Sequence, residues 1–599
     1  MTDRQAPAFR ARAEAAFIAL AAGDALGWPQ EFPGKVLGEQ GHHPVTTAFR
    51  PWLRRGGGRF YPHEERVKAG EYSDDTQLTL AVARCRILGG TNWWGALTRT
   101  ELPLWTLYER GGGGATKRAI EMWIKGTPPW AVNESKAVQR YFDAGGNGVT
   151  MRVLPHSIFY ACEEDPTALM RDVVTDGVAT HGHPRALVGA TAYAFAAWWL
   201  LRSEHTVGFG ELVQVLLEKS AIWGALPASR SARNGWLNAA NRSTPHGYDA
   251  AWSSVVKEMR NLLHRVEQGL NAGAVADDDE ILRDLGCFGK AKGAGTVSTA
   301  AAVYLCARYA AQPVQAVLKA AFAHRADTDT IAAMSGSLVG CLSGRDWLPR
   351  EWTAVQDYEY LCQMANELAQ GPSAIRNRPA ALRTISQKDL DALRAALVDG
   401  HKGKLDLDGI RQAEIKDFLY PKPLSKTTVA QVWRLQASDG QTLYVTKLGR
   451  KSSSDSRTES SRNTSNEPSM LRTNERASFS ATAVGVKLTV TDLKAMAAFY
   501  ENVLGLSSGK RSHRFVSYGA LSLIDAKAAT NLSGGAVVPT ADARRHRIQV
   551  HVSDIDAAYR RVQEAGIEVL QPITAMQWGD RVFHCTDPEN NLVEVAQPR

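Results

Sequence analysis

The 599-residue sequence predicts a multidomain protein: a large all-α domain, then a small α+β module, then a C-terminal α+β domain of paired βαβββ units. Apolar residues recur at helical spacing from Arg12 to about Gln370, with glycine-rich loops between the runs. Two alternating runs joined by Ser-Asp-Gly, within residues 429–449, are typical of a β-hairpin. Further on, a strand–helix pattern occurs twice, which indicates an internal duplication.

Composition divides the chain into four segments. Residues 1–375 form the predicted all-α domain, and residues 380–449 form the small module, which contains no recognisable chemical motif. A flexible linker is predicted at residues 450–480, since Lys451–Ser469 holds eight serines and no aliphatic or aromatic residue. Residues 481–599 contain the duplicated unit.

Amino-acid usage is that of an ordinary globular protein, and the net charge of +8 is mild for this length. No Lys/Arg block with interleaved aromatics indicates a nucleic-acid surface. The seven cysteines are scattered without a Cys-x-x-Cys pair, which argues against a zinc site or a disulfide scaffold and for a reducing compartment. Since no secretory signal is recognisable and the most apolar segment, Gly189–Leu201, is too short to span a bilayer, we predict a cytoplasmic protein without a membrane partner.

Two acidic groups stand at predicted helix N-termini in distant parts of the all-α domain. The first, Ser-Asp-Asp-Thr, begins at Ser73, and the second, Asp-Thr-Asp-Thr, begins at Asp327. Taken alone, each group is most simply interpreted as a helix cap. Carboxylates and hydroxyls are also hard oxygen ligands that suit Mg²⁺ or Mn²⁺. If the fold brings both groups together, two cations could neutralise four carboxylates that otherwise repel each other.

The sequence around both groups resembles the ADP-ribosylglycohydrolase family, which includes the dinitrogenase-reductase-activating glycohydrolases, over residues 17–344. The resemblance rests on five blocks in order: GDALGWPQE (23–31), YSDDTQLTLA (72–81), GNGVTMRVLP (146–155), ATHGHPRALVGA (179–190) and ADTDTIAAMSGSLVG (326–340). It implies an all-α fold and hydrolysis of the glycosidic bond to ADP-ribose at a binuclear Mg²⁺ (or Mn²⁺) site.

Residue roles are implied by the same resemblance. The implied metal ligands are Ser73, Asp74, Asp75, Asp327, Asp329 and Thr330. Asp75 or Asp329 is the expected general base, and Glu31 is expected to act as an acid/base or a gate beside the metals. The glycine-rich segment Gly145–Arg152, called the glycine loop below, leads into a predicted helix and suits the diphosphate of the substrate. The expected substrate-binding residues are Gly146, Asn147, Gly148, Met151, His181 and Arg325. Ser73 retains the hydroxyl of the threonine often found there. Arg325-Ala326 replaces a glycine pair; Arg325 could touch the substrate or only cover the rim of the metal site, which leaves the substrate's identity open.

Three features allow a plainer interpretation. Glu31 could be an ordinary surface carboxylate. His181 and His183 have metal-ligand spacing, but a hydrogen-bonded pair at a helix start is favoured because imidazole matches Mg²⁺ poorly. The glycine-rich segment 110–116 lacks the Gly-Lys-Ser/Thr ending of a phosphate-binding loop, so a flexible loop is favoured.

The C-terminal duplication resembles the glyoxalase/bleomycin-resistance (vicinal oxygen chelate) superfamily. The resemblance is carried by VTDLKAMAAFYENVLGL, VSDIDAAYRRVQEAGIEV and DPENNLVEVAQ. Metal enzymes of this group carry His, Gln or Glu at four strand positions. Here Gly485 and Arg547 occupy the two strand-start positions, and Glu594 alone keeps a ligand type. We therefore expect a metal-free module for ligand binding or dimerisation.

Three functions compete at this point. The first is a Mg²⁺-dependent hydrolase that removes ADP-ribose from a modified protein, nucleic acid or small conjugate. The second is a non-catalytic ADP-ribose reader, or an immunity protein that blocks an ADP-ribosyltransferase toxin. The third places the main activity in the C-terminal domain, as drug sequestration or a lyase. The complete set of acidic ligands favours the first, because a reader does not need them.

Overall fold

The computed structural model describes residues 7–31, 45–227, 235–273, 276–372, 383–397, 403–425 and 427–450, followed by shorter stretches between 481 and 597. Two compact units are present, the first ending at Asn463 and the second beginning at Thr464. The linker predicted at residues 450–480 lies, apart from residue 450, outside the described residues. The domain boundaries drawn from composition stay predictions.

The first unit is mainly helical, which confirms the predicted fold class. Its helices are α1 (Pro7–Glu31), α2 (Asp74–Leu88), α3 (Trp93–Ala96), α4 (Leu102–Tyr108), α5 (Gly114–Ile124), α6 (Ser135–Phe142), α7 (Leu154–Phe159), α8 (Thr167–Gly177), α9 (Pro184–Arg202), α10 (Glu211–Glu218), α11 (Ser220–Trp223), α12 (Trp236–Ser243), α13 (Tyr248–Asn271), α14 (Asp278–Asp284), α15 (Gly295–Arg308), α16 (Pro313–Ala321), α17 (Thr328–Ser343), α18 (Tyr358–Ala369) and α19 (Gln387–Ala396). No helix in the described part of the chain combines the length and the apolar character needed to cross a membrane.

Helices α1 and α17 pack with their backbones almost in contact. A methyl group added at Gly27 would lie 2.4 Å from the carbonyl oxygen of Thr328, and one at Gly336 would lie 2.4 Å from that of Ala19. The Thr328 hydroxyl also donates to the Gly27 carbonyl at 2.8 Å. This close approach brings the C-terminal end of α1, with Glu31, beside the N-terminal end of α17.

The helix contact predicts a large effect of one added methyl group. Gly27→Ala is expected to lower the free energy of unfolding by about 2 kcal/mol, because the new Cβ forces the two backbones apart. Chemical denaturation measures the loss. Gly449→Ala is the matched control, since its added methyl group meets nothing within 4 Å. Equal stability of the two variants would contradict the close packing of α1 on α17.

A hairpin that the sequence did not predict interrupts the helical domain. It consists of β1 (Trp52–Gly56) and β2 (His63–Val67), which are antiparallel. Arg54 lies opposite Glu65, and their side chains form an ion pair at 2.8 Å. Because charge pairing contributes to this hairpin alongside apolar contacts, an apolar–polar alternation is not evident in its sequence.

The small module forms an antiparallel sheet. Its strands are β3 (Lys404–Asp406), β4 (Gln412–Leu419), β6 (Thr428–Ala437) and β7 (Thr442–Arg450), in the order β3-β4-β6-β7, and the short β5 (Lys422–Pro423) pairs with β2. The predicted hairpin is the β6–β7 pair. Trp433 and Leu443 share one hydrophobic core with Leu78, Val82 and Trp105 of the helical part. The module therefore belongs to the same compact unit as the helices.

The second unit confirms the paired βαβββ architecture. It contains β8 (Ala481–Val490), β9 (Arg511–Ser512), β10 (Phe515–Tyr518), β11 (Leu521–Asp525), β12 (His546–Val552), α20 (Ile555–Glu564), β13 (Val569–Ala575), β14 (Arg581–Thr586) and β15 (Leu592–Gln597). The sheet order is β13-β14-β15-β12-β8-β11-β10-β9. The first strand of each copy is parallel to the last strand of the same copy, and the two first strands pair antiparallel at the centre. Most of the helix predicted for the first copy lies outside the described residues.

Candidate metal and active site

Asp24, on α1, fixes the start of α2. Its buried carboxylate accepts hydrogen bonds from the backbone N–H groups of Ser73 at 2.9 Å and Thr76 at 3.0 Å, and from the Thr76 hydroxyl at 2.6 Å. Ser73 is the N-cap of α2, and its hydroxyl oxygen accepts from the N–H of Asp75 at 3.4 Å. These bonds satisfy N–H groups that a helix start leaves without an intrahelical partner. The first acidic group is thus attached directly to α1.

Three carboxylates meet where α1 ends and α17 begins. One oxygen each of Glu31, Asp327 and Asp329 lie within 4.8 Å of one another. Asp329 is buried, and its Oδ1 accepts from the N–H of Thr330 at 2.8 Å. Like charges at this separation repel strongly in a buried setting.

Asp75 brings the first acidic group to this cluster. Burial, followed by the charges of Asp24, Asp74 and Asp327, raises the pKa of Asp75 well above its ordinary value. Burial and the charges of Glu31 and Asp75 likewise raise the pKa of Asp329. The groups at 74–75 and 327–329, distant in sequence, therefore share one electrostatic site.

Asp74 lies against a different neighbour from Asp75. Burial, then the charges of Glu109 and Asp24, raises the pKa of Asp74 to about 8. A Cβ built on Gly111 would lie 2.7 Å from Asp74 Oδ1, so the loop before α5 passes directly over this carboxylate. Only a glycine allows the loop to approach so closely.

Asn147 holds one of the carboxylates in place. Its side-chain N–H₂ donates to Asp327 Oδ2 at 2.8 Å and to the Ser298 hydroxyl oxygen at 3.0 Å, and its backbone N–H donates to the Gly293 carbonyl at 2.9 Å. Burial raises the pKa of Asp327, and the bond from Asn147 opposes that rise. The amide that the sequence assigns to substrate binding is thus already bonded to a carboxylate of the cluster.

His181 lies beside the glycine loop. The ring is buried, its Nδ1 is 2.8 Å from the Thr180 hydroxyl, and a Cβ built on Gly148 would lie 3.0 Å from its Cε1; one on Gly146 would lie 3.9 Å from its Nε2. Burial, with nearby Arg152, lowers the pKa of His181 to about 3, so the imidazole is neutral. His183 caps α9 through Nδ1, which fits the helix-start interpretation.

Two other predicted substrate residues have contrasting surroundings. The Met151 side chain is 4% exposed and lies in the hydrophobic core that includes Leu78, while its carbonyl accepts from the Thr79 hydroxyl at 3.1 Å. Arg325 is exposed and adopts a left-handed φ of 75°, with its carbonyl accepting from Lys292 Nζ at 3.2 Å. Left-handed backbone is costly for arginine and natural for glycine, which is the residue type usual at that place in the family it resembles.

The arrangement fits a divalent cation. Asp75 Oδ1 is buried and has no hydrogen-bond partner among the described residues, although it lies among other carboxylates. A buried carboxylate oxygen without a donor is expensive unless a positive charge balances it. Carboxylate and hydroxyl oxygens are the ligands that Mg²⁺ and Mn²⁺ prefer.

The raised pKa values predict how stability depends on pH and metal. An acid whose pKa is raised on folding stabilises the fold at low pH, and that stability is lost as pH rises toward the folded-state pKa. Because the pKa of Asp74 is raised to about 8, metal-free protein should melt at lower temperature at about pH 8 than at about pH 6. Added Mg²⁺ should raise the melting temperature more at the higher pH, and Asp74→Asn should weaken both trends. A Mg²⁺ effect independent of pH would contradict this expectation.

Asp24 is the site residue that sequence reasoning missed. Asp24 and Glu31 are seven residues apart and so lie on one face of α1, and the glycines at 23 and 27 follow the same face. A polar stripe on an otherwise apolar, buried helix was the signal available in the sequence.

In the second unit, Glu594 has a buried partner. Glu594 Oε2 on β15 lies at hydrogen-bond distance, 3.2 Å, from Nε2 of His584 on the neighbouring strand β14. Glu594 pairs in register with Gln549, whereas Arg547 pairs with Leu592 and with Lys487. The carboxylate that the superfamily resemblance singled out is therefore engaged within the sheet.

Comparison with known proteins identifies the family of the helical domain. The family model described as ADP-ribosylglycohydrolase matches residues 5–377. The chain belongs to the ADP-ribosylglycohydrolase family. A second model, described as the Glyoxalase/Bleomycin resistance protein/Dioxygenase superfamily, matches residues 482–595, and both resemblances drawn from the sequence are thereby confirmed. Members of the ADP-ribosylglycohydrolase family are generally metal-dependent.

Individual relatives are more distant. The chain is 32% identical over 182 residues to the ADP-ribosyl-[dinitrogen reductase] glycohydrolase of Rhodospirillum rubrum, covering 30% of this chain and 54% of the relative. It is 26% identical over 198 residues to the ADP-ribosylarginine hydrolase Tri1 of Serratia proteamaculans (strain 568), covering 32% and 47%. A solved structure titled "ADP-ribosylglycohydrolase-related protein complex" aligns with 61% of this chain and 98% of its own, at 20% identity and a TM-score of 0.38. The chain spans about half the length of the curated relatives it matches.

Proposed function

We propose that this protein is a divalent-metal-dependent hydrolase that cleaves the glycosidic bond between ADP-ribose and a modified acceptor. The observation that carries the proposal is the cluster of Glu31, Asp327 and Asp329, with oxygens within 4.8 Å of one another, together with the buried Asp75 Oδ1, which has no hydrogen-bond partner in the described part of the chain. Family membership supports the same chemistry, as do the activities for which two relatives are named, an ADP-ribosyl-[dinitrogen reductase] glycohydrolase and an ADP-ribosylarginine hydrolase.

The proposed site takes two Mg²⁺ ions, or Mn²⁺. The residues that would hold them are Ser73, Asp74, Asp75, Asp327, Asp329 and Thr330, with Glu31 at the edge of the same cluster. The bound cations would balance the carboxylate charges, orient the ribose hydroxyls and make a water molecule more acidic. Asp24 and Asn147 hold the ligands: Asp24 fixes the first turn of α2, and Asn147 fixes Asp327.

The carboxylates also supply the proton transfer. Water adds to the anomeric carbon of ADP-ribose while the bond to the acceptor breaks, through an oxocarbenium-like transition state. Asp75 or Asp329 accepts one proton from that water, and a proton reaches the departing acceptor atom with Glu31 as the candidate donor. Both proposed bases are buried, where the carboxylates of α2 and α17 come together.

The glycine loop is the proposed contact for the substrate's diphosphate. Backbone N–H groups near Gly146 and Gly148, beside the neutral His181, suit an anion because glycine lets the backbone approach closely. Arg325 is exposed at the start of the second acidic segment and is the proposed determinant of which acceptor enters. A role of Met151 in substrate binding stays a prediction, as does a cytoplasmic location.

The acceptor chemistry is settled by a direct assay. Purified protein is incubated with peptides carrying ADP-ribose on arginine or serine, with ADP-ribosylated nucleic acid and with small conjugates, in the presence of Mg²⁺, Mn²⁺ or a chelator. Release of ADP-ribose from at least one conjugate, abolished by the chelator, is the expected result. Binding of ADP-ribose without turnover of any conjugate would refute the hydrolase and favour the reader.

A further inference from the structure

The strand β7 lies outside residues 5–377, which the family model matches, yet it contacts the loop that leads into the first acidic group. The Tyr444 hydroxyl on β7 donates a hydrogen bond to Glu71 Oε1, and Arg110 donates to Glu71 Oε2 at 2.8 Å. The Arg110 guanidinium also lies over the Tyr444 ring, 4.4 Å from its centroid. Burial and the charge of Glu71 raise the pKa of Tyr444, so its hydroxyl stays protonated as a donor.

A second contact from the same strand reaches the next residue of the loop. The backbone N–H of Thr442 donates to Asp357 Oδ2 at 2.9 Å, and the same oxygen accepts from the Tyr72 hydroxyl at 2.6 Å. Glu71 and Tyr72 immediately precede Ser73, the N-cap of α2. The strand therefore contacts Glu71 directly and Tyr72 through Asp357, and these two consecutive residues lead into the proposed metal ligands.

The contact between Tyr444 and Glu71 is also connected to Asp74 through Arg110 and Gly111. Arg110, which is buried between Glu65 and Glu71, is followed by Gly111, whose backbone lies against Asp74. Displacement of Glu71 would therefore shift both the chain leading into Asp74 and the loop that covers it. Buried, close-packed neighbours transmit such displacements instead of absorbing them.

The Tyr444 contact is separate from the contacts that attach the module to the helices. Arg84 and Arg411 both pair with Glu101, with N–O distances of 2.8 and 3.0 Å, and all three side chains are almost fully buried. Trp433 adds an apolar anchor in the shared core. A change confined to the Tyr444 hydroxyl leaves this attachment in place.

We propose that the β3–β7 module is a positioning element of the metal site, in which Tyr444 holds Glu71, and the Thr442 backbone holds Tyr72 through Asp357, so that the chain leading into Asp74 and Asp75 keeps its place. The inference rests on the proposed function, and it assigns a role to residues 403–450, for which the sequence indicated none. Tyr444 touches neither metal nor substrate in this scheme. It acts through Glu71.

The test compares Tyr444→Phe with Tyr420→Phe, which removes a hydroxyl from an exposed tyrosine of the same module. Calorimetric titration with Mg²⁺ alone should show about tenfold weaker binding for Tyr444→Phe, the size expected when a group supporting metal ligands is lost, and no change for Tyr420→Phe. With a substrate identified, activity of Tyr444→Phe should fall at limiting Mg²⁺ and recover at saturating Mg²⁺, with KM unchanged. Melting temperatures of both variants report any loss of folding.

The outcomes separate this inference from the proposed function. Wild-type Mg²⁺ affinity in Tyr444→Phe, with only a lowered melting temperature, overturns the positioning role and leaves a structural one. If wild-type protein binds Mg²⁺ but hydrolyses no conjugate, the proposed function fails. The Mg²⁺ affinity of Tyr444→Phe relative to wild type then still decides whether the module positions the metal site. If wild-type protein binds neither Mg²⁺ nor Mn²⁺, both are overturned.

Discussion

Asp75→Asn is expected to lower the rate of ADP-ribose release by about 10³-fold, and to raise the melting temperature of the metal-free protein at about pH 8. Asparagine keeps the shape of the side chain but removes the charge that binds metal and accepts a proton. The same change relieves repulsion, because Asp75 is buried among Asp24, Asp74 and Asp327, and no described residue donates to its Oδ1. Activity should therefore fall while the stability of the metal-free protein rises. This combination is expected of a carboxylate that is kept for function although neighbouring charges repel it.

Rates with Mg²⁺, Mg²⁺ calorimetry and thermal melting measure the three effects. Asp346→Asn, at an exposed aspartate, is the matched control and should leave all three unchanged. Destabilisation of the metal-free protein by Asp75→Asn would show that Asp75 is a structural cap. Retention of a tenth or more of the wild-type rate would remove it from the proposed mechanism.

Asp24→Ala is expected to lower the free energy of unfolding by about 3 kcal/mol and to abolish Mg²⁺ binding. Removing the carboxylate leaves the backbone N–H groups of Ser73 and Thr76 buried without partners, at about 1 to 3 kcal/mol each. Burial raises the pKa of Asp24, because the ionised carboxylate is costly in a buried place. Removing that charge therefore offsets part of the loss of stability. The orphaned donors outweigh that gain because three of them are created, the two backbone N–H groups and the Thr76 hydroxyl.

A matched control exists at the start of α8. Asp165 accepts from the Thr167 N–H at 3.0 Å and the Thr167 hydroxyl at 2.6 Å, a similar bonding pattern on the exposed surface. Asp165→Ala should cost about 1 kcal/mol and leave Mg²⁺ binding unchanged, since water replaces the lost acceptor. Chemical denaturation compares the two. Equal losses for Asp24→Ala and Asp165→Ala would mean that the α1–α2 connection does not hold the site.

Periodicity was enough to predict the architecture, because long apolar helices and duplicated strands leave repeating patterns. It was not enough for the β1–β2 hairpin, where the Arg54–Glu65 pair contributes instead. Nor could it predict that residues 403–450 share a core with α2 and α4, since contacts between distant segments leave no local pattern.

The sequence was sufficient to predict the acidic residues of the site. It was not sufficient to predict the residues that hold those acids in place. Paired Asp residues at two helix starts are visible as local motifs. Asp24 is a single acid in an alanine-rich helix, and Tyr444 is one aromatic residue in an ordinary strand; their roles depend on buried hydrogen bonds that only the fold creates. Asn147 was assigned to substrate because it lies in a glycine loop, whereas the fold directs its amide to Asp327.

We expect carboxylates from α1, α2 and α17 to bind divalent cations together. Anomalous diffraction from crystals of the protein grown with Mn²⁺ locates those cations. Anomalous peaks are expected within ligand distance of Asp75, Asp327 and Asp329. Peaks elsewhere on the protein, with none among these carboxylates, would contradict this expectation.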